Sequence, residues 1–252
     1  MSPNYQLRRH ILSTHCVNIR LFNKFRFPLS AIYTCKRRFI RRYLAFHTSQ
    51  ISSFGGSATT ALSNFLEQKG VGLPKITEWD WAPWKHMRCP PRDHTVQKGF
   101  RALYVVADPR DAMLSVFRRG YQHWHIQRLE GDVASWNFSW DLEQFLSCGH
   151  DHFRLREHLD NWIKARRGYP IMIIKYEALW EQLPAVFEFF DAPPARVEES
   201  PRRTRRKTNW KSEAKEIIEA LNRIYGDLAE DIATMADVNI LLPEKSHGQD
   251  DR

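Results

Sequence analysis

Acidic residues are missing from the first 66 positions of this 252-residue chain, where Glu67 is the first to occur. The chain as a whole has 38 basic and 29 acidic side chains, a formal net charge of +9. Ten of the basic ones fall within residues 1–50, which leaves 28 against all 29 acidic ones. The body is near neutral, so the total charge does not support a nucleic-acid surface. Long apolar runs are also missing. The longest near the N-terminus, FPLSAIY, falls far short of the roughly 17–25 residues of a membrane helix, so no membrane span is expected. Cysteine is scarce: Cys16, Cys35, Cys89 and Cys148 show no CxxC spacing. That argues against a disulfide framework or a cysteine zinc site and fits a reducing compartment. The GxxxxGK[ST] loop of nucleotide kinases and NTPases is absent too, which counts against those enzymes.

What is present begins with the leader. Residues 1–47 are Arg-rich and acid-free, run into RRFIRRYLAFHTSQ (37–50), and read as a transit peptide of mitochondrial type. A mitochondrial or other organelle matrix is the expected location, and the cytoplasm otherwise. The alternatives for this arm are a solvated or nucleic-acid-binding basic segment, or a misplaced start. Residues 48–243 form the expected folded domain, and 244–252 (EKSHGQDDR at the end) a disordered tail.

Within the domain, two apolar runs predict buried strands: RALYVVAD (101–108) and IMIIKY (171–176). Asp108 at the N-cap, Pro109 at N1 and Asp111 at the capping-box position predict a helix running to about Tyr121. GGSATTAL predicts a glycine turn and a helix stopped at Gly70. Alternation around Trp79 and Trp81 predicts a short strand. HFRLREHLDNWIKARRG reads as an amphipathic helix with Leu155, Leu159 and Trp162 on one side and Gly168 as its stop. ALWEQLPAVFEFF reads as a helix with an interior proline, and KSEAKEIIEALNRIYGDL as a long one. Strands alternating with helices predict an α/β fold, a three-layer sandwich with a central parallel sheet. Such sheets bind ligands where strand ends lead into helix N-termini. Ser115, with Arg118 and Arg119 three and four residues on, suits an anion there.

These pieces together resemble the sulfotransferases that use 3′-phosphoadenosine 5′-phosphosulfate (PAPS). The family's Arg-x-Pro-x-Asp strand end, with a serine eight residues after the arginine, matches ADPRDAMLS at Pro109, Asp111 and Ser115. SWDLEQFL, HLDNW and IMIIKYEAL follow in the family's order, with Tyr176-Glu177 resembling its Tyr-Glu-Asp signature. PRRTRRKTNWK resembles the basic loop that ends in Trp-Lys, and GGSATTAL the 5′-phosphosulfate loop Lys-Ser-Gly-Thr-Thr-Trp. The resemblance covers about residues 50–230. It implies a P-loop-like fold and two anion cradles: Gly56, Ser57, Ala58, Thr59 and Thr60 for the phosphosulfate, and Ser115 with Arg203, and Arg205 or Arg206, for the 3′-phosphate. Tyr176 belongs to the donor site by the same resemblance. His86 in PWKHM falls where the family's general base lies, with Lys85 beside it.

Three positions depart from the family. Gly56 stands for the loop lysine, Ala61 for the adenine-stacking tryptophan and Ala107 for the phosphate arginine. Lys85 and Lys98 are the candidates for a relocated cation. The implied activity is sulfuryl transfer from PAPS to a hydroxyl or amine of a small-molecule or glycan acceptor. The alternative is a catalytically weak or inactive relative that binds a nucleotide or a protein partner.

Two further patterns stand apart. HWH (His123, His125) and HDH (His150, His152) invite a metal, but residues i and i+2 share a face only on a strand, and both pairs fall at helix edges or loops. No metal is expected. Tryptophans 79, 81, 84, 124, 136 and 140 fit an acceptor cleft and core aromatics equally well.

Overall fold

The computed structural model describes residues 47–74, 83–193 and 208–244. The leader up to residue 46, Trp79 and Trp81, the segment carrying Arg203, Arg205 and Arg206, and residues 245–252 lie outside the described residues.

The two apolar runs form neighbouring strands inside a four-stranded sheet. β2 (Arg101–Val106) pairs in parallel with β1 (Ser49–Ser52) on one side and with β3 (Ile171–Lys175) on the other. β4 (Val238–Leu241) pairs antiparallel to β3, so the sheet is mixed, not wholly parallel as expected. The cause is where the chain arrives. A short link brings it to the carboxyl end of β3, where Lys175 N donates to Asp237 O (2.9 Å) and Lys175 Nζ to Ala233 O (3.0 Å). From that end β4 can only run back.

Seven α-helices accompany the sheet among the described residues: α1 (Thr59–Gln68), α2 (Pro109–Arg118), α3 (Gln122–Arg128), α4 (Leu142–Ser147), α5 (Leu155–Ile163), α6 (Leu183–Phe189) and α7 (Lys215–Thr234). Alternation along the strands decides which helix covers which face. Ile51, Leu103, Val105, Met172 and Ile174 join Leu62, Phe65 and Leu66 of α1 and Val186 and Phe187 of α6 in one apolar core. Tyr104, between Leu103 and Val105, turns the other way and stacks on Trp162 of α5, with ring centroids 4.9 Å apart. Helices therefore lie on both faces, as the α/β reading requires. Each such buried side chain contributes about 1.5–3 kcal/mol relative to exposure.

Three boundaries differ from expectation. Helix α2 ends at Arg118 and α5 at Ile163. Pro184 stands in the first turn of α6, with turns before it. A proline has no N–H to give an interior turn, so the helix begins at it. β1 has one apolar residue in four, yet all four are buried. Two of its polar side chains donate to the 3₁₀ turn Pro83–His86: Gln50 Nε2 to Trp84 O (2.8 Å) and Ser52 Oγ to Lys85 O (3.1 Å).

Candidate active site

The ends of β1 and β2 lie side by side, with Ser52 opposite Tyr104, and each strand leads into a helix. From β1 the chain turns through Ser53–Ala58 into α1. Gly56 has φ +67°, and a Cβ there would lie 2.8 Å from Ala112 Cα, in the backbone of α2. Backbone in a packed helix does not yield, so this position admits glycine and excludes the family's lysine. Ala58, the N-cap of α1, is left-handed (φ 53°) and makes no side-chain cap bond, and the first turn holds no acidic residue. Ser57 is buried, and its hydroxyl has no partner among the described residues. An orphaned buried hydroxyl costs about 1–3 kcal/mol, which a ligand oxygen would recover. Uncapped amides, this hydroxyl and the exposed Thr60 at the mouth fit a phosphate or sulfate group.

A buried lysine from another segment reaches this loop. Lys85 is 2% exposed, and its Nζ donates to Thr60 Oγ1 at 2.7 Å. The turn that carries it is fastened to the loop, because Lys85 O accepts from Ser53 N (2.8 Å) as well as from Ser52 Oγ. Lys98, the other candidate, is exposed and precedes β2. It stands at the amino end of a strand whose carboxyl end forms the site, about 3.3 Å per residue away.

Two histidines brace the same loop. His86 Nδ1 lies 2.8 Å from Ser53 O and His125 Nε2 lies 2.7 Å from Phe54 O; their rings meet edge to face with centroids 4.9 Å apart. A carbonyl only accepts, so His86 carries its proton on Nδ1 and leaves Nε2 as the basic nitrogen. Burial, then His125 and Lys85, hold His86 well below its ordinary 6.5, so the ring is neutral at physiological pH. The sequence does not mark His125 for this role. Its partner carbonyl is 71 positions away, and no local spacing signals it.

The second strand end, that of β2, leads into α2. Asp108 caps α2 by accepting from Arg110 N (2.9 Å). Asp111 accepts from Trp210 N (2.8 Å), and Trp210 Nε1 donates to Asp108 Oδ2 (3.1 Å). Arg110 stacks on the Trp210 ring at 3.8 Å while paired to Asp108. The end of the basic loop is thus docked on the first turn of α2. Ser115 lies three residues beyond Ala112, the residue that Gly56 abuts, and so faces the same side one turn along. Arg118 and Arg119 turn to other work: Arg118 pairs with Glu213, and Arg119 Nε donates to Ser115 O (2.9 Å). Ala107 is completely buried, so no arginine fits in its place. Tyr176 N donates to Val106 O (2.7 Å), and its side chain packs against the apolar core under α1 and α6.

Of the tryptophans, Trp136 is core, packed on Phe145 and Phe153, and Trp84 is buried; Trp124 and Trp140 are half-buried. The HWH pair divides, since His123 accepts from Trp136 Nε1 (3.2 Å) while His125 holds the loop.

No curated protein and no solved structure matches the chain. A family model described as the sulfotransferase domain matches residues 86–227, more than half of the sequence. The match begins at His86 and takes in the β2–α2 end, β3 and Trp210. The Gly56 loop and Lys85 precede it and are joined to it by the contacts above. The chain belongs to the sulfotransferase domain family.

Proposed function

We propose that the protein transfers a sulfuryl group from PAPS to a hydroxyl or amine of a small-molecule or glycan acceptor. The observation that carries this reading is Lys85 Nζ at 2.7 Å from Thr60 Oγ1. It supplies a buried cation to a phosphate-type loop whose own lysine position is closed to side chains. The α1 amides and the Ser57 and Thr60 hydroxyls hold the phosphosulfate oxygens. Ser115 and the basic segment ending at Trp210 hold the 3′-phosphate. His86 Nε2 takes the acceptor's proton as the acceptor oxygen or nitrogen bonds to sulfur. The bond from sulfur to the bridging phosphate oxygen breaks, and Lys85 stabilises the electron pair left on that oxygen. The gain comes from positioning and electrostatics, as in phosphoryl transfer. No described helix is long and apolar enough to cross a membrane.

The second reading, a weak or inactive nucleotide-binding relative, is favoured by Ala107, which leaves the 3′-phosphate without the family's arginine. Two measurements decide. The desulfated product, 3′,5′-adenosine bisphosphate, should bind more tightly than AMP by calorimetry, since charge-assisted hydrogen bonds contribute about 1.5–3 kcal/mol each. Equal affinities would remove the 3′-phosphate cradle. Sulfate transfer from labelled PAPS to phenols, sterols or glycans then separates the enzyme from the inactive relative.

A further inference from the structure

The HDH pair gains a third partner that its spacing does not announce. Asp132, on the connection between α3 and α4, comes to His150 and His152, on the connection between α4 and α5. One ligand atom from each residue lies within 4.8 Å of the others. The two connections are locked together. Asp132 N donates to His152 O (2.7 Å), and a Cβ on Gly131 would collide with that same carbonyl oxygen. Buried Arg88 bridges them from below, with Nη2 2.9 Å from Glu130 O and 3.4 Å from Phe153 O. His152 is 6% exposed and walled by Trp136, Trp140 and Phe145, with ring centroids 6.0, 5.0 and 6.2 Å away. His150 is exposed and stands at 88° to it, centroids 4.9 Å apart. Ser135 links the other two: its hydroxyl donates to Asp132 Oδ2, and its oxygen lies 3.0 Å from His152 Nδ1. Outer partners of this kind orient metal ligands.

We infer that Asp132, His150 and His152 form a binding site for one divalent transition ion of the zinc class. Two imidazoles and one carboxylate select borderline ions over Mg²⁺ and Ca²⁺, and the open position would take water. The objection that i and i+2 share a face only on a strand does not apply, because the third ligand arrives from a different loop. The ion would staple the two connections. It takes no part in sulfuryl transfer, so the inference stands apart from the proposed function.

The test is titration of chelator-treated full-length protein with Zn²⁺ by calorimetry and with Co²⁺ by visible absorption. One equivalent should bind, with Co²⁺ giving d–d bands and Mg²⁺ no heat. His150→Ala leaves the core untouched because His150 is exposed. It should weaken Zn²⁺ binding by at least about tenfold, the low end of what losing even an outer partner costs. Asp132→Asn should do likewise, while His94→Ala, on a separate surface turn, should not. Parent-like affinity in His150→Ala, or loss of the tight site in His94→Ala, would overturn the assignment.

Discussion

Lys85 Nζ meets Thr60 Oγ1 at 2.7 Å across 25 positions of sequence, and the loop that receives it has Gly56 at the position where the loop it resembles has a lysine. The two facts are connected. Gly56 lies against the α2 backbone and has no room for a side chain, so a lysine can reach this loop only from outside it. The Pro83–His86 turn can bring it because it is already hydrogen-bonded to β1 and Ser53.

Replacing that cation should therefore act on chemistry. Lys85→Met is expected to lower turnover on the order of 10²–10³-fold, the usual cost of one preorganised donor. Affinity for 3′,5′-adenosine bisphosphate should change far less. Turnover within a few-fold of the parent would place the leaving-group cation elsewhere.

Restoring the family's residue should fail. Gly56→Lys adds a Cβ at positive φ, 2.8 Å from Ala112 Cα, and should cost about 1–3 kcal/mol in denaturant unfolding. It should lower donor affinity as well. A more active Gly56→Lys protein would contradict the closed loop described above.

His86 Nδ1 holds Ser53 O and Nε2 is the proposed base, and one substitution separates the two. In His86→Asn the amide can still donate to Ser53 O, while the basic Nε2 is lost. Turnover should drop by about 10²–10⁴-fold, as for a missing general base, with bisphosphate affinity held within a few-fold. If affinity falls in step with turnover, His86 is a brace and not the base.

Asp111→Ala removes the acceptor of Trp210 N and should loosen the end of the basic loop. A charged hydrogen bond contributes about 1.5–3 kcal/mol, so bisphosphate should bind about tenfold more weakly or worse. AMP, lacking the 3′-phosphate, should bind as before. Equal losses for both ligands would mean that the α2 cap supports the whole site.

Stability should fall with acid. Burial pushes His86 well below 6.5 and His158, hydrogen-bonded to Tyr104, to about 3. Below pH 6.5 the unfolded chain binds protons that the folded protein does not. Stability is then complete above 6.5 and declines as pH falls, by about 1.4 kcal/mol per unit for each group until its folded pKa is passed. His158→Gln should reduce this slope between pH 6 and 4. An unchanged slope would show that His158 does not govern it.

By itself the sequence determined the parts whose physics is local. β2 and β3 are near-continuous apolar runs, and both are buried strands. Asp108-Pro109 starts α2 because capping and a fixed φ act within a few residues. Ser115, the glycine loop and the Trp-Lys end were legible as a series in a known order. Tertiary structure decided what depends on groups distant in the chain. β1 is too polar to be read as a buried strand, and it is buried because the 83–86 turn answers its hydrogen bonds. Lys85 reaches Thr60 because its turn is hydrogen-bonded to β1 and Ser53, whereas Lys98 precedes β2 at its amino end. His125 at Phe54 O and Asp132 beside His150 and His152 join segments with no shared periodicity. Hydrophobic spacing reports which face a residue takes, whereas only the packed chain reports whom it meets there.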